Sequence, residues 1–510
     1  MNLLAERWIP VRLLPSGGAQ KISLKELLCG DGKWELCLPR DDMELAALQL
    51  LICITQVVLT PKDAAELKQH IARPVSEDAY DSAAKLVDDW FRLDHPKYPF
   101  MQTRGIKADK VIPMDGLLAG LSGATSSCFV NQAGLGERIC GGCAAIALFN
   151  QASCAPSFGG GFKAGLRGPS PVTTLVQGQH LRQTVWLNVL CEERLSGFIA
   201  WYDKTRSQKP TWVVPIEKGK TILPETIGVV RGLLWQPAHV ELLSPKASEP
   251  CSCCGSSSEP TYHGFTRAKF SYTLDGTWPH PHSPRVAVTK DGKVEEKFVA
   301  FRTSAPSWTQ LSRFVVQQQV DDGKDGQQPA AVILQVRQLF GEKAGELHLL
   351  VGGYRNKQAS ILERRHEVYT LNHGWDRNTD VIDHLVAQGG GYRDALYKAL
   401  YVFVSGIKDV KGAGIKLHQA AEPRFYRRSE PTILETLARI DFDNPIPELV
   451  RMRAELKRIV EDLFEESVRP YLQDPELFRT LAVARKTLNK HLRRLEPQQD
   501  SGGKNGTATA

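Results

Sequence analysis

The sequence predicts an α+β fold: a mixed N-terminal domain with a zinc-stabilised loop region, followed by a C-terminal helical bundle. Three observations carry this. Short apolar runs broken by Gly and Pro recur through the first three-quarters of the chain. Two Cys-x-x-Cys pairs, Cys140 with Cys143 and Cys251 with Cys254, lie far apart within that region. From about residue 376 the composition shifts to long amphipathic helices. At 510 residues the chain exceeds one ordinary core. The expected domains are 1–375 (mixed α/β) and 376–496 (helical), with a disordered polar tail at 497–510.

Residues 1–40 read as short strands and a small helix. Asp41 is placed to cap a helix, with Glu44 three residues later as in a capping box. The run Leu45 to Leu59 is apolar nearly all round, which predicts a buried helix. A second helix is expected from Glu77 to Arg92, a short one from Met114 to Leu121, and another from Ala144 to Gln151. Alternation at Val172, Leu175, Val176, Val185, Leu187 and Val189 predicts strands over 171–191. Residues 203–225 are a polar insertion, and Trp278 to His282 is a proline-stiffened loop. Strands are expected over 286–302 and a helix over 307–319. The run Leu347 to Gly353 ends in a polar loop, Tyr354 to Ala359. Five helices are then expected, at 377–388, 392–408, 431–440, 446–470 and 474–495. Leu449, Met452, Leu456, Ile459 and Leu463 recur at steps of three and four, as a bundle face requires.

Composition narrows the class. Apolar residues make up 42% and charged residues 24%, ordinary for a globular chain. The net charge of +7 leans toward an anionic partner only if the charge is clustered. No apolar run reaches the length of a membrane span. The opening MNLLAERWIPVRLL lacks the pattern of a secretory leader. Eleven cysteines, odd in number and clustered, fit a reducing cytoplasm and metal binding better than a disulfide framework.

Zinc takes four soft ligands in a tetrahedron, and a two-residue spacer lets one turn present two thiolates. Cys140, Cys143, Cys251 and Cys254 supply two such turns; Cys253 has the wrong spacing. Four protein ligands leave no open position for catalysis. The other reading is four unrelated buried cysteines.

Three further stretches carry candidate chemistry. Ser157, Phe158, Gly159, Gly160 and Gly161 form a loop that matches neither a Walker nor a dinucleotide motif. It is either bare backbone laid on a groove, with Lys163 and Arg167 on phosphates, or a flexible connection. Arg267 and Lys269 alternate in an aromatic frame, either toward a nucleic-acid groove or as solvated edge charges. Asn356, Lys357, Gln358 and Ala359 are either a base-contacting loop or an ordinary surface loop. The basic face Lys486, Lys490, Arg493 and Arg494 reads as solvated. No serine-hydrolase or zinc-protease motif is present, and His280 and His282 lie between prolines with no nucleophile motif nearby.

The blocks MNLL…WIPVR, LPRDDMELAALQLL, HPKYPFMQT, FVNQAG, CGGCAAIALFNQA, FGGGFKAGLRG, VRGLLWQPAH, WPHPHSP, APSWTQ and GGYRNKQASILERRH span nearly the whole length. In them the chain resembles the CasA family, the large subunits of the type I-E CRISPR surveillance complex Cascade. The resemblance implies a C-terminal four-helix bundle and no enzymatic activity. It implies recognition of the protospacer-adjacent motif (PAM) of double-stranded DNA from the minor groove, opening of the duplex for guide RNA, and recruitment of a helicase–nuclease. The implied partners are guide RNA and the subunits CasB, CasC, CasD and CasE. Carried over residue by residue, the glycine loop falls on Ser157–Gly161, the lysine finger on Lys269 and the wedge on Gln358 with its flanks. Phe129, Val130 and Asn131 match the loop that anchors the subunit near the guide RNA. Ser157 and Lys357 depart from the family's glycine and asparagine. The competing readings are a zinc-stabilised scaffold that binds nucleic acid non-specifically, and a zinc nuclease or phosphatase, which four cysteine ligands disfavour.

Overall fold

The structure, a computed structural model, describes all residues except 16, 109, 122–133, 258, 291–292, 321–324, 342–344, 413 and 497–510. The chain divides into two compact units. One comprises Met1–Ser304 and Arg313–Asp376; the other comprises Ala305–Ser312 and the chain from Arg377 on. No described helix is long and apolar enough to cross a membrane.

The first unit is built on the helix Asp41–Val58, whose apolar residues are buried on every face. Its start differs from the expected capping box. Arg40 is the N-cap and makes no side-chain cap bond. Asp41 accepts from the Asp42 amide, and Glu44 reaches back to the Leu38 amide at 3.0 Å. Asp42 instead turns inward to a buried ion pair with Arg40, whose guanidinium also donates to the Ala119 carbonyl at 2.6 Å. Tyr354 donates to Asp42 at 2.8 Å and accepts from the Asn150 amide at 2.7 Å. This network joins three elements far apart in sequence.

Six small sheets surround this core among the described residues, none wider than three strands. Three matter here. Ile139–Cys140, Pro260–Tyr262 and Lys246–Ser248 form one antiparallel sheet, with Thr261 opposite Cys140. Ile112–Pro113, Gly264–Ala268 and His239–Leu242 form a second. Thr173–Val176, Leu347–Lys357 and Ser360–Leu371 form the third. The expected polar loop after Gly353 is thus the end of a long hairpin, closed by a two-residue turn at Gln358 and Ala359.

Val185 and Leu187 lie on a helix, Leu181–Leu187, rather than on the expected strand. His180 caps it by accepting from the Gln183 amide, and the Asn188 side chain bonds both backbone groups of Val176 at 2.8 and 2.7 Å. An amide side chain thus takes the place that a neighbouring strand would have filled. The helix Ala331–Phe340 has no counterpart among the elements expected from sequence.

Among the described residues the second unit holds four long helices: Thr379–Lys411, Leu417–Arg439, Ile446–Val468 and Phe478–Leu495. The first runs unbroken where two were expected. A side chain at Gly389 would meet the Trp308 ring at 2.7 Å, and one at Gly391 would meet Leu495 at 2.6 Å. These glycines therefore mark close packing, not a break. The second helix starts well before residue 431 and carries Pro423 and Pro431 inside it. Each proline costs one helical hydrogen bond, but Phe425, Ser429 and Ile433 stay on one buried face. The apolar steps from Leu449 to Leu463 are buried as expected.

Candidate nucleic-acid interface

The four cysteines come together in the first unit. Their Sγ atoms lie within 4.8 Å of one another, and Cys140 and Cys254 are 3.6 Å apart. Tetrahedral zinc–sulfur bonds of about 2.3 Å would set ligands about 3.8 Å apart, so the donor set fits such an ion. Cys140 caps the helix Gly141–Ser153 and Cys143 sits in its first turn, so the helix begins within the pair and not after it. Gly142 is there for packing: a side chain would strike the Trp8 carbonyl at 2.5 Å. Ser252 stitches the two cysteine segments. Its hydroxyl accepts from the amides of Gly136 and Arg138 at 3.1 Å and donates to the Arg138 carbonyl at 2.8 Å. Cys253 is buried and lies outside the cluster.

The thiols of the cluster shift in opposite directions, those of Cys251 and Cys254 downward through hydrogen bonds with Cys140 and Cys143. The Cys143 thiol is held well above the usual range, first by the Cys140 thiol, then by its other sulfur neighbours and by burial. Four thiolates at this spacing need a compensating positive charge. The Lys21 ammonium supplies some from outside, donating to Cys140 Sγ at 3.1 Å and pairing with Glu259 at 2.6 Å. Burial alone would lower its pKa, but the thiolates of Cys140 and Cys254 and the Glu259 carboxylate raise it.

From the cysteine sheet the chain passes through His263 directly into the strand Gly264–Ala268 and then Lys269. Lys269 is exposed and donates to the Gly160 carbonyl at 3.0 Å. Gly159, Gly160 and Gly161 have φ of 77°, 56° and 88°, a left-handed run that side chains disfavour. A side chain at Gly159 would stand 3.2 Å from Cβ of Ala359, at the hairpin turn. The structure thus brings the glycine loop, Lys269 and the hairpin tip together. Phe158 is buried beneath the loop. Gln358 is exposed at φ 54°, and Asn356 donates to its carbonyl.

The family model for CRISPR-associated protein Cse1 matches residues 2–463. The chain belongs to the Cse1 family. Its fold is shared with solved structures at low identity. CasA of Thermus thermophilus is 18% identical, with 97% of this chain and 99% of that chain covered and a TM-score of 0.72. Cse1 of Thermobifida fusca is 17% identical, with 97% and 98% covered and a TM-score of 0.72. A chain of a CRISPR RNA-guided surveillance complex is 15% identical, with 96% and 99% covered and a TM-score of 0.63.

Other residues singled out in this Cse1-family sequence fall elsewhere. Phe129, Val130 and Asn131 lie outside the described residues. Arg167 is no phosphate ligand. It is buried and donates to Thr173, Ser283, Gln49 and the Ser153 carbonyl at 2.8–3.0 Å. Lys163 is exposed beside the loop. His280 and His282 are buried, with His282 between Gln49 and the Asn188 carbonyl. Two supports were not foreseen from sequence: Phe162, which flanks the glycines, and the Tyr354–Asp42 network under the hairpin. Their only trace in sequence is an aromatic after the glycines and a tyrosine before the polar stretch.

Proposed function

We propose that the chain is the DNA-reading subunit of an RNA-guided surveillance complex. On this reading it recognises the PAM of double-stranded DNA, mainly through the minor groove. Ser157, Phe158, Gly159, Gly160 and Gly161 offer backbone, Lys269 offers one long cation, and Asn356, Lys357, Gln358 and Ala359 form a wedge at the duplex fork. The observation that carries it is that one glycine loop meets Lys269 through the Gly160 carbonyl and the hairpin tip through Gly159 and Ala359. The minor groove presents a degenerate pattern, so bare backbone plus one lysine gives permissive recognition. Unstacking costs a few kcal/mol, which guide pairing and the wedge contacts offset.

A zinc ion held by Cys140, Cys143, Cys251 and Cys254 would fix the strand leading to Lys269 and supply no catalysis. The chain binds and opens DNA and leaves cleavage to a recruited helicase–nuclease. Phe129, Val130 and Asn131 anchor it near the guide RNA. Its other partners are CasB, CasC, CasD and CasE, and its setting is the cytoplasm. Residues 1–375 form the reading domain, 376–496 a bundle that meets the other subunits, and 497–510 a tail.

The test is target binding by the complex reconstituted with and without this chain, on PAM and PAM-less duplexes, at two salt concentrations. We expect affinity to rise only on the PAM duplex, and Lys269→Ala or Gln358→Ala to weaken that gain while assembly persists. Phosphate contacts alone give steep, sequence-blind salt dependence. An equal gain on both duplexes would therefore make the chain a non-specific scaffold.

A further inference from the structure

We propose that Arg267 is the positioning residue of the glycine loop: its guanidinium, stacked on Phe158 and Phe162, holds Gly159–Gly161 in the shape that meets the duplex. The inference rests on the DNA-reading function proposed above. Arg267 lies two residues before Lys269 on the strand Gly264–Ala268, opposite Val240. Its guanidinium carbon is 4.4 Å from the centre of the Phe158 ring and 4.9 Å from that of Phe162. The two rings meet edge to face, 5.5 Å apart at 73°, and Phe158 also leans on Phe265 at 6.2 Å. Both shoulders of the loop are thus fastened to one another and to the strand that leads to Lys269.

Between those shoulders stand three glycines with no side chains to fix them. Three bonds hold the turn: the Gly159 amide to the Ser157 hydroxyl at 3.4 Å, the Phe162 amide to the Gly159 carbonyl at 3.1 Å, and Lys269 to the Gly160 carbonyl at 3.0 Å. The bond from Lys269 must be given up if Lys269 turns to DNA. The turn keeps its internal bonds, and the aromatic stack under Arg267 then ties it to the strand. Among the described residues no carboxylate pairs with Arg267, although it is half-buried. The ring faces are what compensate its charge, and that compensation exists only while both phenylalanines stay in place. Arg267 therefore links the two segments through the aromatic pair and needs no contact with DNA itself.

A phosphate-contacting arginine would behave differently, and the experiment separates the two. The full complex is reconstituted with wild-type chain, Arg267→Met, Arg267→Lys, Phe162→Leu and Lys269→Ala. Affinity is measured on PAM and PAM-less duplexes at two salt concentrations, and amide exchange of residues 158–162 is followed in the full chain without DNA. We expect Arg267→Met to lower PAM affinity about five- to tenfold, to leave PAM-less affinity and the salt slope unchanged, and to speed loop exchange. Arg267→Lys should recover part of the loss, since an ammonium keeps the charge but not the plane. An equal loss on both duplexes, with a salt slope shallower by about one, marks a phosphate contact and overturns the inference. Unchanged selectivity in Arg267→Met beside a loss in Lys269→Ala overturns it alone. Unchanged selectivity in both removes the PAM-reading function. If Arg267→Met fails to assemble, Phe162→Leu carries the test: it removes one face of the stack, and wild-type selectivity and exchange there overturn the inference.

Discussion

Gln358 holds a backbone conformation that glycine would hold more cheaply. It is the first residue of a two-residue hairpin turn, at φ 54°, and it is not glycine. Left-handed backbone at a residue with a Cβ costs about 1 kcal/mol. We expect Gln358→Gly to stabilise the hairpin by about that amount in denaturant unfolding, while target opening on PAM duplexes falls. A variant that is both more stable and fully able to open DNA would remove the wedge role. Four residues earlier, Tyr354 reaches the buried Asp42–Arg40 pair. Burial alone would raise the Asp42 pKa; Arg40 outweighs it and the value is lowered. The sign follows: this pair stabilises the fold above the unfolded value of about 3.9, and the contribution is lost as pH falls through the lower folded value. Asp42→Asn leaves Arg40 charged and unpaired in the core, so we expect a loss of about 3 kcal/mol at neutral pH, read by urea unfolding. The variant should also lack that share of acid sensitivity.

At the scale of elements, the Trp278–His282 loop sets a second pH response. Arg167 donates to Gln49 Oε1 at 3.0 Å, which turns the Gln49 amide nitrogen toward His282 Nδ1 at 3.3 Å. His282 Nδ1 therefore accepts, and Nε2–H donates to the Asn188 carbonyl at 3.2 Å. A second proton would meet a donor, and burial with the nearby Arg167 charge pushes the pKa down to about 3. Both states are neutral above about pH 6.5; below it the unfolded chain takes a proton the folded one refuses, at about 1.4 kcal/mol per pH unit. We expect urea midpoints to decline from about pH 6.5 downward, and His282→Gln to flatten that decline. Elements with a strong local signal were legible in the sequence: the all-apolar run within Asp41–Val58, the paired cysteines, and the leucine steps after Leu449. Those decided by distant partners were not. Leu181–Leu187 read as a strand because its alternation hid a cap at His180 and an amide bridge at Asn188. The polar stretch after Gly353 read as a loop because its strand partner, Ser360–Leu371, is itself highly polar. Gly389–Gly391 read as a break because Trp308 and Leu495, far away in sequence, are what require Gly389 and Gly391. At the candidate interface the glycine, lysine and glutamine positions were legible, whereas their meeting, and the Arg267 stack beneath it, needed the fold.

At the scale of the whole molecule, the cysteine cluster ties segments that the chain separates widely. A structural zinc there would contribute on the order of 10 kcal/mol to folding. We expect one zinc per chain by elemental analysis, and a strong chelator or Cys251→Ser to lower the unfolding midpoint of the first unit and release Lys269 from the Gly160 carbonyl. Metal-free chain with an unchanged midpoint would show that the four thiols hold without an ion. The meeting of Gly159 with Ala359 has a consequence in time. About 200 residues separate them, and a ribosome adding five to twenty residues per second needs about 10–40 s to cross that gap. For that interval the loop exists without its partner hairpin. A nascent chain that stalls before Ala359 carries the four cysteines and the lysine but never the finished meeting of loop and hairpin, so that surface is completed only when the first unit is almost whole.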